Sequence, residues 1–188
     1  MMRATTITAK PVVASRIALP TKAGQCDPEL FRDACEVAER RNLVHMVLAE
    51  ERQPRPLPRG CLLVDAREER ALRCRMVECG MAVLVPEGEV PLDADGRKIH
   101  AGLFAVPHKA HCDRLIFDRR PQKAGERRLR WARLPHGTMF TQTRLRPNQI
   151  LRGSGEEISI FFYHLKSPLA WWKRNCYGRV FRVKTRLC

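Results

Sequence analysis

GLFAVPHKAHCDRLIFDRRPQK, residues 102–123, decides how the rest of this 188-residue chain is read. Two strand-like segments, Lys98 to Val106 (KIHAGLFAV) and Arg114 to Asp118 (RLIFD), flank the short polar stretch Pro107 to Asp113. Apolar runs of strand length on either side of a short polar break predict an antiparallel hairpin. Its tip carries His108, Lys109 and His111. The second strand opens on Arg and closes on Asp-Arg-Arg, which suits phosphate handling. Lys109 supplies a point charge, Arg114 a planar fork that can hold two phosphate oxygens, and Asp118 an acid that can pair with a neighbouring Arg and fix its direction.

The charge around this stretch is regional. Residues 1–96 are nearly neutral, with 14 Lys/Arg against 15 Asp/Glu, whereas residues 97–152 carry 14 against 3. Residues 153–165 hold two glutamates and no basic residue, and residues 166–188 hold seven basic residues and no acid. The whole excess of +15 therefore lies in the second half, as expected of a surface that meets a polyanion. A solvated basic face with no ligand has the same composition.

Outward from the hairpin, the chain reads as four parts. Residues 1–26 lack clear periodicity and are expected to form a flexible leader. Residues 27–60 read as a helix followed by a Pro-rich connector. Asp27 caps, Pro28 suits the first helical position, and Leu30, Ala34, Val37, Ala38, Val44 and Leu48 recur at helical spacing to about residue 50. Residues 61–165 would form the main unit. In it Cys61 to Val64 and Met81 to Val85 are short strand candidates. Asp65 caps a helix over about 66–78 that Gly80 ends, and Asp93-Ala94-Asp95-Gly96 is a turn. Residues 166–188 form a basic, aromatic tail, partly disordered or loosely docked. The fold class expected is α+β, a small antiparallel sheet on 98–118 with helices packed against it.

The hairpin segment resembles the fingers of retroelement reverse transcriptases, whose pattern runs roughly G-x-F-x-V-P-K, a turn, then R-x-I-x-D-x-R-x-x-N. Gly102, Phe104, Val106, Pro107, Arg114, Ile116, Asp118 and Arg120 match it. The resemblance implies that Arg114 grips the triphosphate of an incoming nucleotide. The lysine position falls on His108, with Lys109 beside it, and the Asn position on Lys123. About thirty residues on, SGEEISIFFYHL stands where that family begins its palm. Glu157 then occupies the metal-binding aspartate position, and Phe162 the aromatic position that screens the sugar 2′ side. The likeness covers about residues 80–165. It implies a partial fingers and palm, with Mg²⁺ as the ion of any polymerase chemistry. The paired aspartates of the later palm are not matched anywhere up to Cys188, and two-metal phosphoryl transfer needs at least two carboxylates. The isolated chain is therefore expected not to polymerise unless a partner chain or a downstream segment completes the palm.

Further candidates are read from the residues themselves. Arg119, Arg120, Arg127, Arg128, Arg130 and Arg133 form the densest basic run, suited to backbone phosphates. Trp171 and Trp172, followed by Lys173 and Arg174, can stack unpaired bases beside phosphates. The partner expected is RNA or DNA, bound either by a reverse-transcriptase-like fragment or by a nonenzymatic basic protein. Eight cysteines without a secretory signal read as reduced thiols, with Cys74, Cys79, His108, His111 and Cys112 a loose zinc alternative. No stretch approaches the length of apolar residues that spans a bilayer. The expected location is inside the cell, in nucleus or cytoplasm, rather than secreted.

Overall fold

A computed structural model of the chain describes residues 8–127, 144–150 and 161–181, apart from the side chains of Arg40 and His45. The chain divides into two units, Met1–Arg127 with Ile160–Cys188, and Arg128–Ser159. In the second unit the described residues hold one turn, in which the Gln149 N–H donates to the Arg146 carbonyl at 2.9 Å.

The first unit is built on the expected hairpin. β1 (Gly102–Lys109) pairs antiparallel with β2 (Cys112–Asp118), from Gly102 opposite Asp118 to Lys109 opposite Cys112, with an irregularity between Pro107 and Lys109. Side chains alternate across a strand, so Leu103, Ala105, Asp113 and Leu115 turn to the interior and are buried. Phe104, Val106, Arg114 and Ile116 turn to the other face.

Five α-helical segments are found among the described residues: α1 (Ala34–Arg41), α2 (Leu43–Met46), α3 (Ala66–Glu78), α4 (Arg120–Ala124) and α5 (Phe161–His164). α3 forms as its sequence signals require. Asp65 accepts hydrogen bonds from the N–H groups of Arg67 and Glu68, both 2.8 Å, and Gly80 takes the left-handed φ of 74° just past the end. Leu72 and Met76, four residues apart, share its buried stripe. With Val12, Ala14, Ile17, Val64, Leu103, Ala105 and Leu115 they make the core. The architecture is α+β.

Three expectations are corrected. Residues 10–19 are not a loose leader. Lys10 exchanges two backbone hydrogen bonds with Ala105 (2.9 and 3.0 Å), an isolated bridge to β1, and Val12, Ala14 and Ile17 fill the core. A single helix over 27–50 does not form. Pro28–Phe31 is one 3₁₀ turn, and Asp33 and Asn42 each use their side chains to cap a new short helix, because Asp and Asn hold nearby backbone N–H groups better outside a helix than within one. Leu30 and Val44, which the periodicity placed inside, are 79% and 78% exposed. Third, the tail is docked as far as it is described. Ala101 donates to the Cys176 carbonyl at 2.8 Å, Tyr177 packs edge-on against Phe117 at 5.1 Å, and Arg179 binds the buried Glu69 carboxylate through its backbone N–H (2.8 Å) and its guanidinium (2.6 Å).

Of the shorter expectations, the 93–96 turn forms, with Gly96 at φ 74° and its N–H donating to the Asp93 carbonyl at 3.0 Å. Cys61 to Val64 runs beside β1, with Leu63 N–H donating to the Leu103 carbonyl at 2.7 Å. Met81 to Val85 is not a strand, and Met81 and Ala82 instead donate to the Met76 carbonyl at the end of α3.

Candidate nucleic-acid interface

The hairpin places its cations at two ends with opposite electrostatics. At the tip, Arg114 is exposed on the outer face of β2, and its Nη2 lies 3.4 Å from Nδ1 of His108 on β1. No acid pairs with Arg114 among the described residues. Lys109 and His111 are also exposed at the tip.

Two further cations reach the tip from the N-terminal segment, and sequence reasoning missed both. Lys10 Nζ stands 2.7 Å from Asp113 Oδ1 and Arg16 Nε 2.9 Å from Oδ2, while Arg16 Nη2 donates to the Ala110 carbonyl at 3.3 Å. Asp113 is buried, and the hydrogen bond from Arg16, with Lys10 adding to it, holds its carboxyl below the ordinary range despite the opposing effect of burial. One carboxylate thus answers Lys10 and Arg16 together. With Lys109 and Arg114 the tip holds four full cations against one anion.

At the base of the hairpin the cations are neutralised. Asp118 binds Arg120 through both oxygens (Nε 2.9 and 3.0 Å, Nη2 2.6 Å) and accepts from the Cys61 N–H at 2.7 Å. Those bonds, Arg120's first, pull the Asp118 carboxyl down to about 2 against the opposing effect of burial. Arg119 donates to Glu126 Oε1 at 2.7 Å, and Arg174 Nε lies 3.5 Å from the same oxygen. Burial lowers the Arg174 guanidinium below its ordinary value, opposed by Glu126. At 7% exposure Arg174 is a core residue and not a phosphate contact. Lys173 pairs with Glu89 at 2.7 Å. Trp171 and Trp172 are half-buried, the latter donating its indole N–H to the Ser167 carbonyl at 3.0 Å. Arg127 is exposed. Arg128, Arg130, Arg133 and Glu157 lie outside the described residues.

The cations of the hairpin tip and of its base therefore do not share one surface. Four steps along the strand, about 13 Å, separate Arg114 from Asp118. Lys10 and Arg16 gather at Asp113 on the inner face while Arg114 stands on the outer one. The tip is a charged prong and not a cup. A shallow hollow of about 270 Å³ lies elsewhere, lined by Leu19, Pro20, Thr21, Arg75, Glu78 and Cys79. The described carboxylates of the hairpin do not fit Mg²⁺, since Asp113 and Asp118 each already face cations, and among the described residues no three His, Cys, Asp or Glu side chains converge as ligands. No helix of the described residues is long and apolar enough to cross a membrane.

Phe162 lies on α5 and is 79% exposed beside Phe161, with ring centroids 5.6 Å apart and planes at 62°. The next residue, Tyr163, is half-buried. Burial raises its hydroxyl above the ordinary value, and the nearby Arg114 charge works in the opposite direction. Comparison of the chain with protein families, with curated proteins and with solved structures finds no match.

Proposed function

We propose that this protein binds the phosphate backbone of RNA or DNA through the tip of its β-hairpin and catalyses no polymerisation. The observation that carries this is the imbalance at the tip, where Lys10, Arg16, Lys109 and Arg114 meet the single carboxylate of Asp113. Such a prong suits a polyanion approached along its backbone. Recognition of this kind depends on charge, falls steeply with salt and is largely indifferent to sequence. Binding of a labelled oligonucleotide, followed by anisotropy over a range of salt, tests it. Steep salt dependence is expected, and affinity unchanged by salt would refute the reading.

A second reading is the reverse-transcriptase-like one, in which the chain is a fingers and partial-palm fragment of a retroelement polyprotein. The acid-free Arg114 at the start of β2, following the fingers-like pattern, favours it. Nucleoside triphosphate binding that is lost in Arg114→Ala and kept in Arg97→Ala, an exposed arginine paired with Asp95, would favour this second reading over the first. Neither reading expects primer extension by the isolated chain.

A further inference from the structure

We infer that nucleic-acid binding takes up a proton at His108, so that the hairpin tip grips phosphate more tightly as pH falls. The inference rests on the backbone-binding reading above and adds its regulation. The register of the hairpin singles out this residue. Pro107 pairs with Asp113 and Lys109 with Cys112, so β1 has one residue more than β2 at the tip, and that residue is His108. Such a bulge re-aims a side chain out of the regular alternation. Here the imidazole is exposed, with its Nδ1 3.4 Å from Nη2 of Arg114 on the facing strand. Imidazole is the side chain whose ordinary charge change falls between about pH 5 and 8.

The charged groups around the ring set the sign. Arg114 faces it from β2, and Lys109 follows it on β1. The N-terminal segment brings Lys10 and Arg16, whose partner Asp113 is buried. Those two cations hold the Asp113 carboxyl below its ordinary range, so it keeps its charge across the whole window. On α5, burial raises the Tyr163 hydroxyl, which stays neutral there. The half-buried Cys112 thiol and the exposed His111 ring complete the titratable groups of the tip. Among the described residues no carboxylate pairs with His108 or Arg114. A guanidinium and a protonated imidazole both only donate. In the free protein a proton on His108 therefore sets a second cation against Arg114 with no acceptor between them, which Coulomb repulsion disfavours. A backbone phosphate brings both acceptor oxygens and negative charge. Charge-assisted bonds of about 2.7–2.9 Å from the two side chains can reach one phosphate. The proton, drawn from solvent, is held more firmly in the complex than in the free chain. Linkage then requires affinity to rise as pH falls.

The test uses the full chain at fixed salt with a labelled oligothymidine of about twelve nucleotides, whose bases do not titrate in this window. Affinity followed by anisotropy should rise about tenfold from about pH 8 to about pH 5. Calorimetry near about pH 6.5, in two buffers of different ionisation enthalpy, should show proton uptake on binding. His108→Gln keeps a donor at the tip but does not titrate in this range. It should bind like the natural chain at about pH 8, lose most of the rise and take up little or no proton. His111→Gln should keep both the rise and the uptake. Both histidines are exposed, so neither variant threatens folding. Affinity independent of pH, a rise that survives in His108→Gln, or a rise lost in His111→Gln instead, overturns the inference and leaves the backbone-binding reading standing. Failure to bind at any pH overturns both.

Discussion

The two ends of the hairpin carry the same kinds of side chain and do different things with them. At the base, Asp118 and Glu126 consume Arg120, Arg119 and the charge of the buried Arg174. At the tip, Asp113 alone faces Lys10 and Arg16, while Arg114 has no acid partner among the described residues and meets the His108 ring. A basic residue near a candidate site therefore says little until its acid partner is known. An arginine matched by a carboxylate of its own is a structural part, and one in a cluster with more cations than acids leaves charge for a ligand.

The comparison breaks first at the base, where substitution should cost most. Gly102 lies against the backbone of Cys61, and a Cβ there would overlap its carbonyl group. Gly102→Ala should destabilise by about 3 kcal/mol or more, because backbone cannot move aside as a side-chain end can. Urea denaturation measures this, and a change below about 1 kcal/mol would show that the base is not a fixed point of the fold.

Asp118→Asn comes next, at about 2 kcal/mol. Its carboxyl is depressed to about 2, so its contribution is fully present above the unfolded value of about 3.9 and is lost as pH falls through about 2. The urea midpoint of the natural chain should therefore drop between about pH 4 and 2, and that part of the drop should vanish in Asp118→Asn. Nucleic-acid binding at neutral pH should be unaffected, since the Arg120 charge that loses its partner lies at the end away from the tip.

Asp113→Asn sharpens the contrast because its two effects oppose each other. Losing a buried partner of Lys10 and Arg16 should cost about 2 kcal/mol of stability, while removing the one anion of the tip should strengthen oligonucleotide binding severalfold at low salt. Anisotropy on the folded protein would reveal the reverse, weaker binding, if the tip were not the contact surface.

What was legible in the sequence was local. Asp65 and Gly80 delimit α3 because capping and left-handed turns act over a few residues, and the hairpin follows from two apolar runs and a polar break. The pairing of Asp118 with Arg120 was legible for the same reason, two residues apart. What was not legible was long-range. Arg16 and Asp113 are 97 positions apart, and Glu69 and Arg179 are 110. Nothing in a charge count distinguishes Arg174, turned into the core, from Arg114, left in solvent. The segment 10–19 carries no periodicity because it joins isolated bridges to the hairpin through a single 3₁₀ turn, and so it read as a leader although three of its residues lie in the core.

The central claim is tested most directly by the salt dependence of oligonucleotide binding in Arg114→Ala set beside Arg120→Ala, each compared with the natural chain. The account predicts that Arg114→Ala lowers the slope of log affinity against log salt by about one with stability changed by less than about 0.5 kcal/mol, and that Arg120→Ala leaves the slope unchanged. Equal losses of slope in the two variants, or a loss confined to Arg120→Ala, would contradict it.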